Sequence, residues 1–354
     1  MAPEPSDLER SILHTACWFA VHGVPVTSFE LWKWLWFPVR AYRLEEIVEA
    51  LEASAWLASR LQTDGAFHAL RGEEPLAEMV ARREERFTIA LRKFRALRRA
   101  IRYLARLPVI DGVAAANTLA WWQAREESDI DLFILTKPGA AWLARAFATL
   151  PFALLRRRPG DHARDPLCFS FFASMAHLSL KDLRLFGGDP YLAYWTRSLV
   201  PVFDRGGAWE RFHASNAWVE EMLPHAAPRT AHGVLSCVTW TRLAGETSSE
   251  RRRTPAPSSS AGSLGLGAAL SREPCSGTCD ILRSDGISPA GRWLDRLERT
   301  ARALQMRRLP AAVRARANQG SAVVLESDRL KFHENDRREA FRDRFQELIM
   351  AYER

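Results

Sequence analysis

Residues 128–136 place two acidic side chains at the start of an otherwise apolar, β-branched run, Ser-Asp-Ile-Asp-Leu-Phe-Ile-Leu-Thr. Polar residues precede this run and Lys137-Pro138-Gly139 follows it, which predicts a short strand. Side chains two positions apart on a strand point to the same face, so Asp129 and Asp131 project together. The chain must therefore fold in a way that accommodates two neighbouring carboxylates on one face of this strand.

Two carboxylates held side by side repel each other and lose hydration, which is costly unless a cation lies between them. Hard oxygen ligands at this spacing suit Mg²⁺, which prefers one or two carboxylates, several waters and substrate phosphates. The alternative is a solvated turn at the start of the strand. The motif thus predicts either a Mg²⁺ site formed by Asp129 and Asp131 or an exposed acidic turn.

The segment before the acidic strand adds a second strand over residues 107–116, followed by Asn117 and Thr118. This order resembles the nucleotidyltransferase superfamily that includes DNA polymerase beta, whose signature is a strand, Gly-Ser, a spacer and Asp-x-Asp. Asn117 stands at the Gly position, and Asn tolerates the left-handed backbone better than other non-Gly residues. Thr118 stands at the Ser position and keeps a hydroxyl. The resemblance implies that Asn117, Thr118 and Ser128 contact a nucleotide triphosphate and that Asp129 and Asp131 bind Mg²⁺.

Residues 117–223 also resemble a group of bacterial nucleotidyltransferase-like proteins whose activity is uncharacterised. The shared features are Asn117-Thr118-Leu119-Ala120, residues 128–136, Cys168-Phe169-Ser170-Phe171-Phe172, Asp189-Pro190-Tyr191-Leu192-Ala193-Tyr194-Trp195 and Asn216-Ala217-Trp218. This resemblance implies an α+β protein with a central polymerase-beta-like nucleotidyltransferase domain over residues 107–225.

The family resemblance further implies a third carboxylate that acts as general base on a neighbouring strand. The matching strand, predicted at residues 167–173, has Ser170 instead, and the next acids along the chain are Asp182, Asp189 and Asp204. Two functions stay open. One is Mg²⁺-dependent nucleotidyl transfer to an unknown hydroxyl acceptor, such as a nucleic acid or a protein. The other is a catalytically weak or inactive fold that binds nucleotides or nucleic acid as a regulatory protein.

Residues 8–72 have the element order of a winged helix: three amphipathic helices and a hairpin that turns at Asp64-Gly65, between residues 56–61 and 66–70. The third helix, over residues 44–53, carries four Glu residues, which would face a phosphate backbone. This favours a protein-interaction or packing module. The Trp-rich residues 31–37 are predicted to pack in a core or between domains.

A basic linker helix is predicted over residues 73–106, where arginines alternate with an apolar stripe. It is interpreted either as a solvated connection between domains or as a phosphate-tracking surface. Residues 226–289, rich in Ser, Thr, Pro, Gly and Arg, predict a flexible linker. Residues 290–354 predict a helical C-terminal region, and the polar residues 330–338 within it favour a solvated amphipathic helix.

The net charge of +8 in 354 residues favours polyanionic partners such as nucleotides or nucleic acid. The five cysteines are scattered, and the absence of a secretory signal predicts a reducing, cytoplasmic location. No apolar run is long enough to span a bilayer, so we expect no membrane span.

Overall fold

The computed structural model describes residues 4–72, 74–160, 163–229, 289–333 and 335–354. Helices and strands are mixed, and the α+β class expected from the sequence is confirmed. The predicted flexible linker lies outside the described residues except for positions 226–229 and 289. In the described part of the chain, every helix is too short or too polar to cross a lipid bilayer.

The N-terminal unit packs helices around a small antiparallel sheet with the strand order β1-β3-β2. Its elements are α1 (Asp7–Val21), β1 (Val26–Thr27), α2 (Ser28–Lys33), α3 (Leu44–Ala53), α4 (Ala55–Arg60), β2 (Leu61–Asp64) and β3 (Phe67–Leu70). Capping boxes start two helices, with Ser6 and Glu9 at α1 and Thr27 and Glu30 at α2. The hairpin is confirmed, with Gly65 in the left-handed conformation at φ 57°.

One strand of that hairpin is shorter than predicted. Residues 55–60 form the helix α4, because the Ser54 hydroxyl accepts a hydrogen bond from the Leu57 amide and caps a new helical turn. Strand β2 therefore begins only at Leu61. The prediction of an extended run over residues 56–61 is wrong at all positions but the last.

The long helix and the central elements follow in the expected order. They are α5 (Leu76–Leu104), β4 (Ile110–Ala115), α6 (Asn117–Ala120), β5 (Ile130–Thr136), α7 (Ala141–Leu154), β6 (Leu167–Ser174), α8 (Pro190–Ser198), β7 (Val200–Asp204) and α9 (Ala208–Ser215). The single-turn 3₁₀ segments are Lys181–Leu183 and Ala217–Glu221. The C-terminal elements are α10 (Pro289–Arg308), α11 (Ala311–Arg316), β8 (Val323–Leu325), β9 (Arg329–Phe332) and α12 (Arg338–Glu353).

Among the described residues, six strands form one mixed sheet in the order β7-β4-β5-β6-β9-β8. Strands β5 and β6 are parallel and the other neighbours are antiparallel. Strand β6 lies inside the sheet, as its continuous apolar sequence predicts. The prediction of a helical C-terminal region is incomplete, because β8 and β9 extend the sheet beyond β6 and bury Val324 and Leu330.

The sheet has a hydrophobic core on each face, because successive side chains of a strand point to opposite sides. On one face, Phe133, Phe171 and Val324 join a core that includes the N-terminal unit, α8, α9 and α12. On the other face, Ile134 and Phe172 pack with α5, α7, α10 and α11. The N-terminal unit therefore shares one hydrophobic core with the first of these faces.

The Trp-rich segment lies at this junction, as predicted. Trp34 is 2% exposed, and Trp36 stacks on Tyr194 of α8 with ring centroids 5.4 Å apart. Trp36 also contacts Phe345 of α12 edge-on. These aromatic contacts hold the N-terminal unit against one wall of the site described next.

Candidate functional site

Asp131 lies half-buried in β5 and is tied to two neighbouring side chains. Its carboxylate accepts side-chain hydrogen bonds from Asn117 and Cys168. Burial raises the pKa of Asp131 to about 6, and the nearby charge of Asp129 adds to the effect. Burial also raises the pKa of Asp129, which precedes the strand, whereas the charge of Lys93 opposes that shift. The charge of Asp129 therefore acts on Asp131 at the start of the strand, while the joint projection of the two side chains stays a prediction.

Asn117 begins α6 directly after β4 in the left-handed conformation, with φ 51°. Its Oδ1 accepts hydrogen bonds from Trp195 Nε1 at 2.9 Å and from the Tyr191 hydroxyl at 3.3 Å. The same carboxamide bonds to Asp131. Asn117 therefore connects the acidic strand to α8, and the backbone conformation expected at this position is present.

The largest cavity near these residues has a volume of about 550 Å³, and we call it the arginine cavity. Its wall is aromatic on one side and carries four guanidinium groups. The aromatic residues of the wall include Trp18, Trp121, Tyr191, Tyr194, Trp195 and Phe341. The guanidinium groups belong to Arg83, Arg86, Arg125 and Arg337. Three of the predicted site residues, Asn117, Thr118 and Ser128, also lie in this wall. The structure therefore brings together the residues predicted to contact a nucleotide.

Most of the positive charge in this wall has no carboxylate partner. Arg83 forms two hydrogen bonds with Glu30, at 2.8 and 2.7 Å. Arg86, Arg125 and Arg337, by contrast, form no ion pair with any described residue. Burial, together with the like charges of Arg125 and Arg82, lowers the pKa of Arg86, and the charges of Glu85 and Glu127, the latter in the same wall, oppose this shift. Such convergence of cations is unfavourable without an anion between them.

A smaller cavity of about 350 Å³ adjoins the first, and we call it the aspartate cavity. The two share the wall residues Asn117, Tyr191, Trp195, Arg337 and Phe341. The aspartate cavity adds groups from β5, β6 and the C-terminal segment, namely Asp131, Cys168, Ser170, Lys331, His333, Asp336 and Arg338. Of the five predicted site residues, all of which the structure describes, only Asp129 lies in the wall of neither cavity.

The C-terminal segment brings a charge network to the aspartate cavity. Arg338 bonds to Asp336 at 2.8 Å and to Asp189 at 2.8 Å. Lys331 Nζ donates to the Ser321 carbonyl at 2.5 Å and lies 3.5 Å from Asp336. Although burial opposes its ionisation, hydrogen bonds from Arg338 lower the pKa of Asp336 to about 2. Burial, with the charge of Arg338, lowers the pKa of Lys331 to about 8.

The sequence did not predict this network, because residues 330–338 were interpreted as a solvated amphipathic helix. The alternation Arg329-Leu330-Lys331-Phe332 has the two-residue period of a strand, and that signal was available. The segment forms β9 instead, because Leu330 can then bury its side chain in the core beside β6. The strand carries Lys331 and His333 into the cavity, where His333 Nε2 lies 3.1 Å from Ser170 Oγ.

The three acids considered as a third carboxylate are each bound elsewhere. Asp182 pairs with Arg329 at 2.6 and 2.8 Å. Asp189 caps α8 and pairs with Arg338. Asp204 accepts a hydrogen bond from the Ala208 amide at the start of α9. Asp336, not one of these three, is the acid that shares a cavity with Asp131.

The basic helix α5 has a mixed role. Lys93 is fully buried and donates to the carbonyl oxygens of Glu126 and Ser128, 3.1 and 2.5 Å away. Arg92 pairs with Glu126 and Asp165. These two residues hold the turn before the acidic strand and are not available to track phosphates. Arg86, one turn and a half earlier, faces the arginine cavity.

Within the described ranges, no three His, Cys, Asp or Glu side chains are grouped so that they could hold a metal ion. Asp129 and Asp131 are the candidates to hold a Mg²⁺ ion, because this ion needs only one or two protein carboxylates and takes further oxygen ligands from phosphates and water. The raised pKa of Asp131 and the repulsion by Asp129 are what an added cation would relieve.

The chain matches no protein-family model, and the searches of curated proteins and of solved structures found no similar protein.

Proposed function

We propose that this protein binds a nucleoside triphosphate in the cleft formed by the arginine and aspartate cavities, with little or no transfer of the nucleotidyl group. The observation that carries the proposal is the convergence of Arg86, Arg125 and Arg337, none ion-paired with a described residue, on a largely aromatic cavity. Guanidinium groups suit phosphate oxygens, and aromatic rings suit a base. Arg337 and part of the aromatic wall also line the aspartate cavity, which contains Asp131.

The arrangement of β4, the left-handed turn at Asn117 and the antiparallel strand β5 supports the resemblance to polymerase-beta-like nucleotidyltransferases. When bound, Mg²⁺ would neutralise phosphate charge, and Asp129 and Asp131 are the residues that would hold it. The side chains of the chain itself orient the ligand: Arg86, Arg125 and Arg337 position the phosphates, and the aromatic wall excludes water from the ring.

Low turnover is proposed because the groups around Asp131 are already committed to each other. Asn117 and Cys168 both bond to Asp131. Asp336 is the further carboxylate in the cavity, but it is ion-paired with Arg338 and Lys331, which lowers its basicity. General-base assistance typically contributes about 10²–10⁴-fold to a rate. A site with no free base would bind its ligand and transfer slowly.

The element order and sheet order of the N-terminal unit support its interpretation as a winged helix. We propose that it serves as a packing and interaction module. Glu45, Glu49 and Glu52 are exposed on α3, and this acidic face would repel a nucleic-acid backbone. The aromatic contacts of Trp36 with α8 and α12 give the unit its packing role.

Calorimetric titration with Mg²⁺ and adenosine triphosphate tests the binding proposal. We expect Arg86→Gln and Arg125→Gln each to weaken binding by about tenfold or more, since each removes charge-assisted hydrogen bonds to phosphate. Arg102→Gln is the matched control, because it removes the same charge from an exposed position of α5. It should leave the affinity unchanged. Equal affinities in the wild type, Arg86→Gln and Arg102→Gln would refute the site.

A second candidate is Mg²⁺-dependent nucleotidyl transfer, and the position of Asp336 in the same cavity as Asp131 is the observation that favours it. A labelled-nucleotide transfer screen against hydroxyl acceptors distinguishes the two functions. Rapid incorporation that is lost in Asp131→Asn and Asp336→Asn, with nucleotide binding retained in Asp336→Asn, would establish the transferase. Binding without incorporation supports the first proposal.

A further inference from the structure

Gln123 lies in the wall shared by the arginine cavity and a third cavity of about 420 Å³, which we call the side cavity. The residue follows α6, and its amide donates to the Thr118 carbonyl at 2.8 Å. Trp122, just before it, has a φ of 58°. This tight turn holds Gln123 inward, so that only 7% of the residue is exposed.

The carboxamide oxygen of Gln123 is buried and accepts no hydrogen bond from the described residues. Buried polar side-chain atoms are nearly always hydrogen-bonded in folded proteins, and each exception needs an explanation. A carboxamide has one acceptor group and two N–H donors in a single plane. Gln123 therefore retains hydrogen-bonding capacity where two cavities meet.

Three charged groups that line the side cavity with Gln123 are already paired. Glu30 and Arg83 line both cavities and bond to each other. Arg229, in the side cavity, donates to the carbonyl oxygens of Ala120 and Ser198. The remaining surroundings of Gln123 include Trp121, Trp122 and Phe87, which offer aromatic surface. A flat heterocycle with a polar edge complements this combination of rings and one carboxamide.

We infer that Gln123 recognises the base of the bound nucleotide and selects adenine. This inference rests on the proposed function, because it assigns the base end of the same ligand. A Gln carboxamide can bond in a bidentate manner to an amino group and the adjacent ring nitrogen of adenine. On the N6–N7 edge used for this pairing, guanine has a carbonyl where adenine has the amino group, and uracil has neither N7 nor an exocyclic amino group, so neither base offers the carboxamide the same donor and acceptor there. The phosphates would extend from this end toward Arg337 and Asp131.

Competition between nucleotides tests the inference without any substitution. We expect the wild type to bind adenosine triphosphate about tenfold or more tightly than uridine or guanosine triphosphate, with Mg²⁺ present throughout. Inorganic tripolyphosphate measures the phosphate contribution alone. Equal affinity for the three nucleotides would overturn the role of Gln123 and leave the proposed function standing, provided that Arg86→Gln still weakens binding.

The substitution Gln123→Met nearly keeps the size of the side chain but removes its hydrogen-bonding groups, so it tests the role of the carboxamide itself. We expect it to abolish the preference for adenosine triphosphate and to leave the affinity for tripolyphosphate unchanged. The matched control is Gln319→Met, the same change at an exposed position, which should retain the preference. A preference that persists in Gln123→Met contradicts the inference. If neither the nucleotides nor tripolyphosphate bind the wild type, the proposed function and the inference both fail.

Discussion

The arginine cavity and the aspartate cavity share one cleft but treat charge differently. In the aspartate cavity, Arg338 is held by Asp189 and Asp336, and Lys331 lies between Asp336 and a backbone carbonyl. In the arginine cavity, the like charge of Arg125 destabilises Arg86, and neither residue forms an ion pair with a described carboxylate, although Glu127 lies in the same wall. Buried charges that are paired stabilise one another, whereas converging like charges are stabilised only by an added counter-ion. The first arrangement is structural and the second is suited to a ligand.

This difference matters because the two cavities would be hard to distinguish by composition. Both contain arginines, aromatic residues and at least one acid. A charged side chain that has an ion-pair partner stabilises the fold, whereas one without such a partner is available to bind a ligand. The comparison therefore predicts opposite effects on stability when a paired charge or an unpaired charge is removed.

The largest expected effect comes from breaking the network of the aspartate cavity. Arg338→Met should lower the free energy of unfolding by about 3–5 kcal/mol, because it leaves the buried Asp189 without its cation. Arg344→Met, on the same helix but paired only at the surface with Glu347, should change it by about 0.5 kcal/mol or less. Urea denaturation followed by circular dichroism measures both. A loss in Arg338→Met no larger than that in Arg344→Met would show that the network is not structural.

Asp131 should give an effect of opposite sign. Its folded-state pKa of about 6 exceeds the ordinary value of 3.8, so ionisation at neutral pH destabilises the folded protein. Asp131→Asn should therefore stabilise the ligand-free protein by up to about 3 kcal/mol at pH 7.5. The gain should shrink as the pH falls through 6 and be small at pH 4, where the carboxyl is protonated in the folded protein and only about half protonated in the unfolded chain.

Thermal unfolding at pH 7.5, 6 and 4 checks this dependence, with the exposed Asp295→Asn as control. The same Asp131→Asn variant should bind Mg²⁺ and nucleotide more weakly, since it removes one of the two proposed metal ligands. A variant that is less stable than the wild type at pH 7.5 would contradict the burial argument. Unchanged Mg²⁺-dependent binding would remove Asp131 from the site.

The smallest effect compares two neighbouring arginines on α5. Arg83→Gln should cost about 1.5–3 kcal/mol, because Arg83 makes charge-assisted hydrogen bonds to Glu30. Arg86→Gln removes a like-charge repulsion and should leave stability unchanged or raise it by up to about 1 kcal/mol. Denaturant titrations of the ligand-free variants measure the difference. Equal destabilisation by both substitutions would mean that Arg86 has a structural partner in solution.

Much of the local structure could be predicted from the sequence. The Asp64-Gly65 turn, the cap at Thr27 and the strand over residues 130–136 each depend on residues close together in the chain. The left-handed backbone at Asn117 also follows from the residue type. One local error, at residues 56–61, arose because the cap at Ser54 outweighed the tendency of the run to extend.

The composition of the site could be predicted only in part. The sequence indicated Asn117, Thr118, Ser128 and Asp131 because one motif carries them all. It did not indicate Gln123, whose significance depends on burial without a partner. Nor did it indicate which arginines of α5 are paired, since the carboxylates of Glu30 and Asp165 come from other parts of the chain.

The sequence by itself determined the periodicity of each element, the turn residues and the adjacency of the two acids in β5, because backbone sterics and side-chain alternation act over a few residues. Only the tertiary structure decided that β9 pairs with β6, which brings Lys331 of this strand and Asp336 from the segment after it to the cavity of Asp131. The physical reason is that strand order and charge pairing depend on which distant surfaces are buried together. The same arginine-rich composition could have produced a fully paired surface, and the sheet order is what leaves three guanidinium groups facing the cleft.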